Sequence, residues 1–320
     1  MMKSQELKPV DPNRLEQLQG VEWLFDFMQR HPLVKTLGPN CAENLFEGLI
    51  DTHVHGNPDS LGIRSQNLVD IASDYARRGA RAIVHKDHHF STIGVAQATQ
   101  IHIDHLVESG HLEHRIEVYG GVPLAYTTDP KFVATAVRSP FMRMIFMNAI
   151  YGEILVQDGK VLPDVEDIIR IAADHKVPIT VCPPNHSAKY EGAPDYPVVE
   201  TLVESMGKHG AKALLDQPVS AYTVPQIAHL ASCGAYVGIF CYPTIPDVIK
   251  APVTDPDITK AVIDAVGVER CVLGSDKGYI LEPDAIQAMR LLLRLLLVWG
   301  YSEEQIRTMA ATNSARLMFD

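Results

Sequence analysis

Eight short apolar runs, each followed by polar, glycine or proline residues and then by an amphipathic helical pattern, set the limits on how this chain can fold. The runs fall at 49–55, 80–86, 116–121, 143–148, 178–182, 213–216, 235–241 and 270–275. Their spacing predicts repeated strand–helix units, and parallel strands need a crossover long enough to hold a helix. The helices between them have sound periodicity. Leu68, Ile71, Ala72 and Tyr75 share one face, with Gly79 as the stop. Val165, Ile168, Ile169 and Ala172 repeat the pattern, as do Val198, Val199, Leu202, Val203 and Met206. Eight such units favour an α/β fold of the closed (β/α)8 TIM type over an open doubly wound sheet. No Gly-x-Gly-x-x-Gly follows an early strand, which weakens the dinucleotide-binding version of the open sheet.

Ahead of the repeats, residues 1–47 read as an N-terminal helical extension, with the barrel over 48–320. Asp11-Pro12 is a good helix start, and the helix would run to about Arg30, before His31-Pro32. The formal net charge of −11 argues against nucleic acid and anionic membranes as partners. Cys41, Cys182, Cys233, Cys241 and Cys271 are odd in number and include no Cys-x-x-Cys pair. They suit a reducing cytoplasm better than a disulfide framework. The first residues lack the apolar core of a secretory signal. The most apolar run, 291–298, is too short to span a bilayer and carries Arg294. It reads as a buried helix, and apolar outer helices of this kind leave room for a homo-oligomer.

In a parallel barrel, chemistry sits at the C-terminal strand ends. The first strand ends in His53 and His55. Side chains at i and i+2 of a strand point the same way, so two imidazoles stand side by side, and neutral imidazole suits a borderline cation such as zinc. The second strand leads into Lys86, Asp87, His88 and His89. A lysine here could lose its proton and take up carbon dioxide as a bridging carboxylate, bind substrate, or pair with Asp87. The fifth strand offers Cys182 and, several residues on, His186 as a ligand. The sixth ends Asp216-Gln217, where the carboxylate is either a hard ligand or, more in keeping with its setting, the holder of a lysine. The eighth ends Ser275-Asp276-Lys277. In a closed barrel Asp276 faces the His53/His55 pair, where it can bind a metal and take a proton from a water.

These residues resemble the amidohydrolase superfamily of metal-dependent barrel hydrolases. The pieces that carry the resemblance are Ile50-Asp51-Thr52-His53-Val54-His55, Gly274-Ser275-Asp276 and the closing helix 310–319. Within that group the chain is most similar to an uncharacterised family of predicted amidohydrolases, through its Thr-His-Val-His, Lys86-Asp87-His88-His89-Phe90 and Ser-Asp segments. The resemblance covers roughly 48–319. It implies one or two divalent ions, usually zinc, with manganese or iron as alternatives, and water as nucleophile. His53, His55 and Asp276 match directly, and Lys86, His88 and His89 match the second-strand motif. Two departures stand out. The histidine expected after strand five is met only approximately by His186, and strand six ends in Asp216-Gln217 instead of histidine. Strand four also lacks the lysine of many dinuclear members.

The leading expectation is a metal-dependent hydrolase acting on an amide, cyclic amide or lactone of a small substrate. His53, His55, Lys86, His186 and Asp276 are the candidate ligands, and Asp276 is also the catalytic base. Arg64, His88, His89 and Lys277 are candidates to hold the substrate. A non-oxidative decarboxylase of a small carboxylic acid is the second reading, since it needs one metal. A barrel that has lost catalysis and serves as a binding subunit is the third.

Overall fold

The computed structural model describes residues 21–124, 129–148, 155–183, 195–245 and 255–320. Eight strands form one parallel sheet in sequence order: β1 (Ile50–Val54), β2 (Ala82–His85), β3 (Glu117–Pro123), β4 (Met142–Asn148), β5 (Ile179–Cys182), β6 (Ala213–Leu215), β7 (Tyr236–Phe240) and β8 (Cys271–Gly274). Every consecutive pair from β1 to β8 is parallel. The last strand returns to the first. Thr52 Oγ1 donates to Leu273 O at 3.1 Å and Asp276 N donates to His53 O at 2.9 Å. The fold is therefore a nearly closed (β/α)8 barrel, as the strand–helix repeat predicts. A two-residue hairpin, Val156–Gln157 with Lys160–Val161, decorates the fourth crossover and had no signal in the periodicity.

The helices that follow are α1 (Val21–Arg30), α2 (Leu68–Ala76), α3 (Ile93–Glu108), α4 (Pro130–Ala136), α5 (Pro163–Asp174), α6 (Tyr196–His209), α7 (Val224–Ser232), α8 (Pro256–Val266) and α9 (Ala285–Val298). Local chemistry sets their ends. The Asn67 side chain accepts from Asp70 N at 2.9 Å to start α2, and the Asp284 side chain accepts from Gln287 N at 2.7 Å to start α9. Gly79, at φ +74°, turns the chain out of α2 toward β2.

Two cores result. The larger lies between sheet and helices and takes in Ile71, Tyr75, Ile168, Ile169, Leu202 and Val203. The smaller fills the barrel with Ile50, Ala82, Val84, Met144, Phe146, Leu214, Phe240 and Val272. Glycines make room for its two phenylalanines. A Cβ on Gly121 would collide with Met144 O and the Phe146 ring, and one on Gly274 would lie 2.8 Å from Phe240 and 3.0 Å from His53 Cβ. Leu317 and Met318 of the last helix, Asn313–Phe319, belong to this inner cluster. Asn313 Nδ2 anchors that helix to the base of β8 by donating to Val268 O (2.7 Å) and Cys271 O (2.8 Å).

The described part of the extension packs onto the barrel, with Ala42, Leu45 and Phe46 buried in the larger core. The helix start expected at Asp11-Pro12 lies outside the described residues. The leucine run of α9 is consumed internally. Leu292, Leu293 and Leu296 are fully buried and Leu291 alone of the run is exposed, so this helix presents no broad apolar face. No described helix is long and apolar enough to cross a membrane.

Candidate metal centre

The site begins with a change of phase in β1. Regular alternation would put Ile50, Thr52 and Val54 on one face of the sheet. Instead Ile50 faces into the barrel core and Val54 into the outer core, with a register shift against β2 between Asp51 and Val54. Such an irregularity re-aims side chains. It lets Asp51 point toward α2 while His53 and His55 both turn to the barrel mouth.

Asp51 ties β1 to its neighbours. It is fully buried and accepts from Tyr75 Oη (2.5 Å), His53 N (3.0 Å) and Ser275 N (3.1 Å). Burial outweighs these donors and pushes its carboxyl up to about 6 from 3.8. A carboxyl with a raised folded pKa binds more protons folded than unfolded between those values. Its contribution is therefore present in full below pH 3.8 and falls away as pH rises through about 6, by about 3 kcal/mol in all. Tyr75→Phe removes a donor to the ionised form. We expect it to lower unfolding free energy by about 1.5–3 kcal/mol at pH 8 and by clearly less at pH 5, measured by urea melts. An equal loss at both values would refute this account.

At the mouth, three donor atoms converge. His53 Nε2 and His55 Nε2 are 3.1 Å apart, and Asp276 Oδ1 lies 3.2 Å from the first and 3.5 Å from the second. All three residues are buried. In a tetrahedral zinc site with bonds of about 2.1 Å, neighbouring ligand atoms stand about 3.4 Å apart. The observed triangle brackets that spacing and leaves a fourth position open, so the donor set fits one divalent ion. Burial, with the nearby Lys86 charge, holds the His53 imidazole below its usual range against the pull of Asp276 and Asp216, which keeps it neutral as a ligand must be.

Each histidine presents its other nitrogen to a buried carboxylate that is itself paired with a cation. His53 Nδ1 faces Asp216 Oδ1 at 3.4 Å, and Asp216 Oδ2 accepts from Lys86 Nζ at 2.6 Å. His55 Nδ1 faces Asp59 Oδ2 at 3.3 Å, and Asp59 accepts from Arg64 Nε at 3.0 Å. Neither imidazole contact is a well-aligned hydrogen bond, but each carboxylate favours a proton on Nδ1 and a free lone pair on Nε2. Burial opposes charge on Asp216, yet the Lys86 ammonium and His53 hold its carboxyl far below the usual range. Asp276 is set by a third contact. Its Oδ2 accepts from Gln217 Nε2, leaving Oδ1 for the cluster. Both residues carry left-handed backbone, Gln217 at φ 52° and Asp276 at φ 42°, as strained positions at functional sites often do.

The structure thus brings His53, His55 and Asp276 together and engages Lys86, Arg64 and Lys277 with carboxylates of the chain. Lys86, expected as a ligand, is an ammonium bound to Asp216. Burial disfavours its charge, but Asp216 more than compensates and raises its pKa, which favours the ammonium over a neutral amine. Arg64 and Lys277, expected to grip a substrate carboxylate, are buried and engaged within the chain. Arg64 holds Asp59 and stacks on Tyr279 at 3.7 Å. Lys277 Nζ lies 3.7 Å from Glu282 and 5.6 Å from the Tyr242 ring. His88 stacks face to face on His55, with ring centroids 4.9 Å apart and planes at 6°. His89 sits in a turn whose Asp87 carboxylate accepts from His89 N at 2.7 Å and Phe90 N at 2.9 Å. His186 lies outside the described residues.

A second trio, His55, Asp59 and His88, also comes within coordination reach. It is a poor cage, because two parallel stacked rings share no common point in their planes and Asp59 is committed to Arg64. Asp59 is the site residue that the sequence reading missed. It lies four residues after His55 in a loop, and its contact with Nδ1 depends on how that loop folds back. Phe240 packs edge-on against His53, with ring centroids 4.8 Å apart.

The chain matches a model of a family of unknown function, DUF6282, over residues 48–238. No curated protein matches it in sequence. Among solved structures, an amidohydrolase from Pseudomonas aeruginosa aligns over 88% of this chain and 98% of its own, at 11% identity and a TM-score of 0.57. An amidohydrolase from Burkholderia multivorans with bound zinc aligns over 84% and 98%, at 13% identity and 0.56. A putative 2-pyrone-4,6-dicarboxylic acid hydrolase from Pseudomonas putida aligns over 84% and 97%, at 14% identity and 0.50. At these identities the likeness is one of fold.

Proposed function

The chain belongs to DUF6282, a family of unknown function, and we propose that it is a metal-dependent hydrolase opening an amide, cyclic amide or lactone of a small substrate. The observation that carries the reading is the buried triangle of His53 Nε2, His55 Nε2 and Asp276 Oδ1, spaced for one ion. Its setting in the fold of amidohydrolases, one of them with bound zinc, supports zinc as the occupant.

A divalent ion held by these three would lower the pKa of a water and polarise a carbonyl. Asp276 takes the proton as the oxygen attacks the carbonyl carbon, and later passes it to the leaving nitrogen or oxygen. Gln217 keeps that carboxylate turned to the site. Asp216 and Asp59 hold the two imidazoles in the tautomer that leaves Nε2 free. Five unpaired cysteines and the absence of a described membrane-crossing helix are in keeping with a cytoplasmic enzyme acting on a small molecule. The one-ion donor set also suits a non-oxidative decarboxylase, and product analysis separates carbon dioxide from a hydrolysed acid.

Elemental analysis of protein purified without chelator tests the reading, beside a His53→Ala/His55→Ala control. We expect one divalent ion per chain in the native protein and none in the control, followed by activity in a screen of lactones and cyclic amides. Native protein that stays metal-free after zinc or manganese is added back would sink the hydrolase reading and favour a non-catalytic binding subunit.

A further inference from the structure

We propose that Lys86 is the second cation of this site: it stands where a second metal ion would otherwise be needed, and its ammonium holds the substrate oxygen that becomes anionic during attack. The inference rests on the hydrolase reading above and names a group that the reading does not use.

Lys86 directly follows β2, and its partner Asp216 directly follows β6. These strands are four apart in a ring of eight, so they face each other across the barrel. The lysine side chain therefore crosses the mouth, and its Nζ also lies 5.6 Å above the ring of Phe146 from β4. The metal-binding triangle comes from β1 and β8, which flank this crossing. Lys86 is thus a cation in the floor of the site, not a surface charge; it is 2% exposed.

Among the described residues its hydrogen bonding is unfinished. An ammonium has three N–H donors. Among the described residues one acceptor takes a bond from it, Asp216 Oδ2 at 2.6 Å. A buried donor without a partner costs free energy, and a negatively charged oxygen is the partner that recovers most of it. As water adds to a carbonyl carbon, the C=O pair moves onto oxygen. Lys86 would meet that charge with N–H bonds and lose no proton. When the intermediate collapses, the pair returns and the leaving group departs with the proton carried by Asp276.

The charge count points the same way. Among the described residues, and setting aside the Asp59–Arg64 pair, Asp216 and Asp276 are the carboxylates around the site, and Lys86 with one divalent ion already exceeds their charge. A second divalent ion would have to sit beside an ammonium. A carboxylated Lys86 would have to give up the 2.6 Å contact and leave Asp216 facing a like charge.

The experiment uses zinc and acetate as probes, the latter for its anionic oxygen. Calorimetric titration of metal-free wild type should give one zinc per chain. Acetate should then bind the zinc-loaded protein, and Lys86→Met should weaken acetate binding about tenfold or more with zinc still at one per chain. Lys86→Arg keeps the charge and should retain most of the acetate affinity, which separates loss of the ammonium from loss of the fold. No carbamate resonance should appear at Lys86 when the protein is equilibrated with 13C-bicarbonate. Two zinc ions in the wild type, a carbamate signal, or unchanged acetate affinity in Lys86→Met would each overturn the proposal while leaving the hydrolase reading standing. A wild type that binds no zinc would end both.

Discussion

Asp216→Ala is expected to lower the stability of the metal-free protein by about 3–5 kcal/mol, because it strands the Lys86 ammonium in the barrel without a counter-charge. The two are 2.6 Å apart and both are fully enclosed. Removing one partner of a buried pair costs far more than the pair contributes, since the survivor keeps the whole desolvation penalty. The pH dependence gives the cause away. In the wild type, Asp216 raises the Lys86 pKa, so the stability that the charge contributes is present below the unfolded lysine value and lost only above it. In the variant, burial outweighs the remaining pull of Asp276 and the folded pKa drops below the unfolded one. The variant should therefore regain stability as pH rises from 6.5 toward 10. Urea melts at several pH values measure this, and Asp216→Ala combined with Lys86→Met should recover most of the loss. A single variant as stable as wild type, or one with the opposite pH slope, would contradict the assignment.

Asp276→Ala is expected to reduce zinc affinity about 100-fold or more, and kcat/KM on any hydrolysed lactone by about 1,000-fold. Two contributions vanish together. Oδ1 is the third corner of the donor triangle, and the same carboxylate is the base that takes the proton of the attacking water. Backbone strain supplies an internal control. Asp276 sits at φ 42°, where a β-carbon is disfavoured and glycine is not. Asp276→Gly should therefore match Asp276→Ala in zinc loss and inactivity while being about 1 kcal/mol more stable. Retention of zinc at native affinity in either variant would remove Asp276 from the metal centre.

Much of the fold is legible in the sequence because it rests on local periodicity. The runs at 213–216 and 270–275 differ from β6 and β8 by only a residue at an end, and the faces of α2, α5 and α6 follow from the spacing of their apolar residues. The convergence of His53, His55 and Asp276 follows from one further step, that the last strand of a closed barrel lies beside the first. The pairings behind those side chains are not legible. Lys86 meets Asp216 from the far side of the ring, 130 residues away in sequence. Arg64 and Lys277 read as free cations for a substrate because sequence shows a charge without its neighbour. In the structure Asp59 and Glu282 occupy those charges from within their own loops. Asp51 gave no sign of its importance, since its partners Tyr75 and Ser275 come from a helix and a strand on either side.

The phase change in β1 has a bearing on heredity. Both imidazoles of the metal centre reach the barrel mouth because one irregularity between Asp51 and Val54 offsets the strand's two-residue alternation. A strand passes from one facing to the other by a single residue. An in-frame loss of one codon between Asp51 and His53 would restore the alternation and still leave Ile50 facing the core and both imidazoles facing the mouth. Descendants of such an event would keep both the barrel and the pair of imidazoles at its mouth. Spacing in this short segment can therefore change by one residue without loss of the ion site, whereas a strand of the same length with unbroken alternation would turn both imidazoles away from the mouth.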